Sequence, residues 1–151
     1  LDWKDRQRQY DQIVRLQPQA VIMMNHGIAD GSKLLVENVW PTDLMAIERW
    51  LPTSNRGYNP WFQIPALPQV WQQSLSYYIP GEVCDPIGYE WFYVESDDPR
   101  SDRELLGMRL IARERHTNFL LDVPPDKHGL IPQRHMQALL KLQKNYEKAC
   151  R

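Results

Sequence analysis

Residues 117–132 read TNFLLDVPPDKHGLIP. The run TNFLLDV, residues 117–123, predicts a strand buried on both faces, because its apolar residues are continuous rather than alternating. The segment PPDKHGLIP that follows is a loop, punctuated by Pro124, Pro125 and Gly129. Beyond it, residues 132–149 predict a helix with Met136, Leu139, Leu140 and Leu142 on its apolar side. On the other flank, SDRELLGMRLIARER (101–115) predicts a second helix. Ser101 is its N-cap, and Glu104 three residues on completes a capping box. Helix, buried strand, loop and helix in succession are the repeating unit of a parallel sheet with crossovers.

Further upstream, SYYIPGE (76–82) and YEWFYVE (89–95) predict short strands. Residues 27–76 are irregular, broken by Pro41, Pro52, Pro60, Pro65 and Pro68. So long a loop in a folded domain is usually functional, and its aromatics, Trp40, Trp50, Tyr58, Trp61, Phe62 and Trp71, argue against disorder. AVIMM (20–24) predicts another strand buried on both faces, ending in Asn25-His26-Gly27. Residues 4–16 predict a helix with Tyr10, Ile13 and Val14 on one face, stopped by Gln17-Pro18. The whole of 1–151 reads as a single α/β domain with parallel strands. It holds fewer strands than the eight of a closed barrel, which typically takes about 200 residues or more.

Composition narrows the function. A net charge of -1 gives no electrostatic reason to expect nucleic acid or an anionic membrane as partner. No apolar run approaches the roughly 20 residues that span a bilayer. Two cysteines, Cys84 and Cys150, and four scattered histidines form no metal-ligand spacing, so no metal or other cofactor is expected. The compartment is left open. Six tryptophans stand out, and Trp and Tyr pack flat on sugar rings while their polar edges reach hydroxyls; core packing is the alternative use.

The residues quoted resemble a family. NFLLDVPPDKHGLIP (118–132) is similar to the last barrel strand and following loop of glycoside hydrolase family 29, the α-L-fucosidases, with Asn118, Leu120, Leu121, Pro125, Gly129 and Ile131 in the matching places. Asp122 departs, standing where the family usually has Asn. YYIPGEVCDPIGYEWFY (77–93) resembles the family through Glu82, Asp85, Ile87, Trp91, Phe92 and Tyr93. YDQIVRLQPQAVIMMN (10–25) looks like the helix and strand that follow the nucleophile strand. The resemblance implies a partial (β/α) TIM-type barrel, roughly the last four strand–helix units. It also places the family's nucleophilic Asp before residue 1.

For the general acid/base the resemblance offers two places. DLMAIERWLP (43–52) is similar to the family's Asp-aromatic-x-Thr-Pro-Glu segment, which puts Glu48 in the role; the spacing of a second branch of the family fits Asp30 and Glu37. Glu82 or neither remains open. A retaining glycosidase needs two carboxyl groups about 5–5.5 Å apart, one attacking the anomeric carbon, the other protonating the leaving oxygen and then deprotonating water. The acid works with a raised pKa, which the apolar neighbours Ile47, Trp50 and Leu51 would supply to Glu48. His26, Trp40, Asp43, Glu82, Trp91 and Tyr93 are the candidate sugar-binding residues, with Asp85 beside Glu82 at an expected strand end or turn. Asn118, at a strand start, reads as structural.

Two functions follow from the resemblance. One is hydrolysis of terminal α-L-fucosyl groups on an oligosaccharide or glycoconjugate. The other is a non-catalytic half-barrel that binds carbohydrate or assembles with another chain. An open set of parallel strands exposes edges and an apolar face, so a second copy or a missing N-terminal barrel half is the expected protein partner.

Overall fold

The computed structural model describes residues 2–24, 40–49, 51, 61–62 and 77–151. Among them are three helices, α1 (Trp3–Leu16), α2 (Asp102–Glu114) and α3 (Gln133–Ala149). The strands are β1 (Met45–Glu48), β2 (Trp61–Phe62), β3 (Tyr77–Tyr78), β4 (Gly81–Pro86) and β5 (Asn118–Asp122). An open parallel sheet runs in the order β1-β4-β5, and β2 pairs separately with β3, antiparallel, with Trp61 opposite Tyr78. The chain forms two compact units, Leu1–Glu48 with Pro52–Glu82, and Arg49–Leu51 with Val83–Arg151.

In the first unit, the Asp2 side chain caps α1 by accepting from the Asp5 N–H, and the helix stops at Gln17, ahead of Pro18. The strand expected over 20–24 does not form. Ile22 and Met24 are buried while Val21 and Met23 are exposed, so the run has one buried face rather than two. Side chains replace most of a backbone ladder there. Asp43 Oδ2 accepts from the Ile22 N–H at 2.7 Å, and Thr42 Oγ1 accepts from the Met24 N–H at 3.1 Å. Among the described residues, one backbone-to-backbone bond joins this run to the approach to β1, from the Asp43 N–H to the Ile22 carbonyl at 2.8 Å. β1 follows, with Met45 and Ile47 buried and Ala46 and Glu48 half-buried. The Met45 N–H donates to the Pro80 carbonyl at 2.8 Å, which sets Met45 level with Gly81 at the start of β4.

The second unit holds the helical core. Ile87, Leu105, Met108, Ala138 and Leu142 are buried together, with Leu51, Phe119, Leu121 and Val123 packed against them. The capping box of α2 is present as expected: the Ser101 side chain accepts from the Glu104 N–H, and the Glu104 carboxylate accepts from the Ser101 N–H. β5 lies where the sequence places it, but it is half-buried rather than enclosed, because Phe119 and Leu121 face the helices and Leu120, 46% exposed, faces away. The inward stripe of α3 is His135, Ala138 and Leu142, spaced i, i+3, i+7; Met136 and Leu140 are exposed, contrary to expectation. A buried His and a small Ala carry the contact there, and an apolar-residue pattern does not register them.

The strand expected over 89–95 is instead a loop, and the ladder lies earlier, at β4. Asp85, expected at a strand end or in a turn, lies with Pro86 at the end of that strand. The loop is held from outside. Arg100 donates to the Gly88 carbonyl at 2.7 Å, Arg49 to that of Tyr89 at 2.9 Å and Arg134 to that of Glu95 at 2.8 Å. The Asp97 carboxylate accepts from the N–H groups of Tyr89 and Glu90. It sits so close to Gly88 that a Cβ there would lie 2.2 Å from Asp97 Oδ2. Carbonyls and N–H groups engaged by side chains are not free for a strand ladder.

Candidate functional site

Parallel α/β barrels carry their chemistry at the C-terminal ends of the strands and their stability at the other end. Glu48 is the last residue of β1 and alternates away from buried Ile47. Ile47 therefore faces the opposite side of the strand and does not line the Glu48 carboxyl, and Leu51 is taken up by the helical core. Of the three apolar neighbours expected to surround Glu48, Trp50 lies outside the described residues, as do His26 and Glu37. Ala46 is level with Glu82 by the register of β1 and β4, so Glu48 and Glu82 share the half-buried face of that pair. Glu82 is the second residue of β4 rather than its end.

Trp40 and Asp43 stand at the opposite end, just before β1. Asp43 and Leu44 form a bend that leads into β1. Asp43 is also engaged: Oδ1 accepts from the Tyr10 hydroxyl at 2.5 Å and Oδ2 from the Ile22 N–H. Burial first, then the hydrogen bond to Asp43 and that carboxylate's charge, push the Tyr10 hydroxyl up to about 12. Trp40, Asp43, Gln7, Tyr10 and Tyr78 line a cavity of about 580 Å³ at this N-terminal end. Tyr10→Phe removes a donor from Asp43 and is expected to cost about 1–3 kcal/mol of stability, with hydrolysis unchanged. Urea unfolding and an activity assay check both, and a loss of sugar affinity at unaltered stability would return Asp43 to a binding role.

At the C-terminal ends of β4 and β5, the second unit assembles a different set of groups. Asp85 forms a buried ion pair with Arg100 at 2.7 Å, on the helix side of β4, so it is not presented to a sugar. Trp91 and Tyr93 are half-buried on the tied loop while Phe92 is 85% exposed. The Arg49 guanidinium stacks over the Trp91 ring at 4.9 Å, so one face of that ring is covered. Arg49 itself has φ 60°, a left-handed conformation costing a non-glycine residue about 1–3 kcal/mol. Its N–H bond to the Cys84 carbonyl, 3.0 Å, and its clamp on Tyr89 and Trp91 hold it there.

Asp122 ends β5. Among the described residues its Oδ2 is buried with no hydrogen-bond partner, and burial raises its pKa. The sequence marks Asp122 only as a departure from Asn, and nothing in the sequence singles out Arg49. Among the described residues no cluster of His, Cys, Asp or Glu is arranged to hold a metal ion, and no helix is long and apolar enough to cross a membrane.

β4 and β5 are parallel neighbours joined by helix α2, an α/β crossover. Solved structures place the fold among the α-L-fucosidases. The enzyme AlfC from Lactobacillus casei, in complex with α-L-fucose, is 20% identical and superposes with a TM-score of 0.66 over 99% of this chain and 37% of its own. α-L-Fucosidase isoenzyme 1 from Paenibacillus thiaminolyticus is 20% identical, with a TM-score of 0.63 over 91% of this chain and 29% of its own. A variant of AlfC in complex with Fuca(1,6)GlcNAc gives a TM-score of 0.60 at 19% identity, over 99% of this chain and 37% of its own. No protein-family model and no curated protein matches the sequence. The chain thus has the fold of α-L-fucosidases over a segment amounting to about 37% of AlfC.

Proposed function

We propose that this chain supplies the acid/base side of a retaining α-L-fucosidase-type hydrolase acting on terminal α-L-fucosyl groups of an oligosaccharide or glycoconjugate. The observation that carries the reading is Glu48 at the C-terminal end of a parallel strand, in a fold shared with fucosidases over nearly the whole chain. The open sheet β1-β4-β5 is then part of a (β/α) barrel. The exposed Leu120 on edge strand β5 favours its completion by further chain or by a second copy.

In this mechanism a carboxylate outside the described residues attacks the anomeric carbon as the glycosidic C–O bond breaks. Glu48 gives its proton to the leaving oxygen. Glu48 then takes a proton from water, whose oxygen displaces the enzyme carboxylate and restores the original configuration. Trp91 offers a platform for a sugar ring.

Hydrolysis of an aryl α-L-fucoside by the purified protein, followed by proton NMR, tests the reading. The expected first-formed product is α-L-fucose. The β anomer would mean an inverting reaction, and fucoside binding without hydrolysis would mean the non-catalytic half-barrel.

A further inference from the structure

We infer that Asp122 is a sugar-facing residue that works as the neutral carboxylic acid, donating a hydrogen bond to an oxygen of the bound monosaccharide. The inference rests on the fucosidase reading and adds a specific contact to it. Phe119, Leu121 and Val123 pack on the helical core, so Asp122, between the last two, alternates to the sheet's other face with Asn118 and Leu120. It is the last residue of its strand, at the end of a parallel sheet where ligands bind.

Among the described residues the surroundings of Asp122 are poor in donors. The Ile87 N–H donates to the Asp122 carbonyl at 2.9 Å, which sets Pro86 level with Asp122 across the ladder. Pro86 is fully buried, and Pro124 and Pro125 follow two and three residues on. None of these has an N–H to give. On the same face of β4 the titratable groups are Cys84, which forms no disulfide, and Glu82. The Asp85–Arg100 pair lies on the opposite, helix-covered face, and the Asp126 carboxylate in the following loop is occupied by the N–H groups of His128 and Leu130. Burial alone raises the Asp122 pKa, with no charged side chain contributing. A carboxylate whose buried oxygen finds no donor is costly, whereas a carboxylic acid turns the same oxygen into a donor that a ligand can accept.

The sign of the pH dependence follows. Folding raises this pKa, so the residue's contribution to stability is fully present below the unfolded pKa and is lost as pH rises through the folded one. A ligand that accepts the Asp122 proton binds best in the same acidic range.

Calorimetric titration with L-fucose, on wild type and Asp122→Asn from about pH 4 to about pH 8, reads the effect. Wild-type affinity is expected to fall by up to about tenfold per pH unit above the Asp122 pKa. The Asn variant, which keeps an N–H donor at all pH values, is expected to lack that fall. Thermal melts over the same range should show Asp122→Asn gaining on wild type as pH rises. Identical pH profiles of binding in the two proteins would overturn the inference and leave the fucosidase reading standing. A variant less stable than wild type at every pH would overturn it in favour of a structural role. L-Fucose bound by neither protein would overturn both readings.

Discussion

Replacing Glu48 by Gln is expected to lower turnover of fucosides with basic leaving groups by about 10²–10⁴-fold, while activated aryl fucosides lose far less in the bond-breaking step. The difference comes from the proton. A sugar alkoxide leaves poorly without one, whereas a nitrophenolate leaves well as the anion. Glutamine preserves the size of the side chain at the half-buried end of β1, so stability should hold. The measurement is a comparison of kcat on the two substrate types, with a melting curve alongside. Unchanged rates on both would move the acid role to Glu37. Equal losses on both would make Glu48 a binding residue.

Arg100→Met is expected to destabilise the second unit by about 3–5 kcal/mol, because it strands a buried Asp85 carboxylate without its counter-charge. The pair is close to fully desolvated: the Arg100 side chain is 14% exposed and that of Asp85 8%. Arg100 also donates to the Gly88 carbonyl and lies over the Tyr89 ring at 5.2 Å, so loop 88–97 should loosen with it. Replacing both partners, Asp85→Leu with Arg100→Met, should recover much of the loss, since a buried pair exchanged for packed apolar groups is often neutral. Urea unfolding of the two single variants and the double variant measures the coupling. Additive losses would mean that the ion pair contributes nothing of its own.

The parts of the fold that could be read from sequence are those with a local cause. α2 was legible because Ser101 and Glu104 cap it, and α1 because Pro18 stops it. β5 was legible as a continuous apolar run. The strands misplaced around it were decided by distant groups. YEWFYVE alternates like a strand, yet Arg49, Arg134 and Asp97 occupy its backbone. Residues 20–24 look like an enclosed strand, yet Thr42 and Asp43 side chains meet them.

The candidate site divides in the same way. A spacing match joins Asp43 to Glu48, but the Asp43 carboxylate is engaged by the Tyr10 hydroxyl and the Ile22 N–H, which spacing alone does not reveal. The clamp of Arg49 on Trp91 depends on residues 42 positions apart meeting in space, and no local pattern carries that.

The tied loop has a consequence for variation. Its path is fixed by guanidinium groups anchored at positions 49, 100 and 134 and by the carboxylate of Asp97, all acting on main-chain atoms. Main-chain atoms are common to every residue type, so the path does not depend on which side chains the loop displays. Phe92, pointing almost wholly into solvent, can be exchanged without disturbing that frame. Such a loop is a fixed mount with interchangeable tips. The lineage can alter what the loop displays one substitution at a time, and a protein engineer can build a library there on a backbone that stays put.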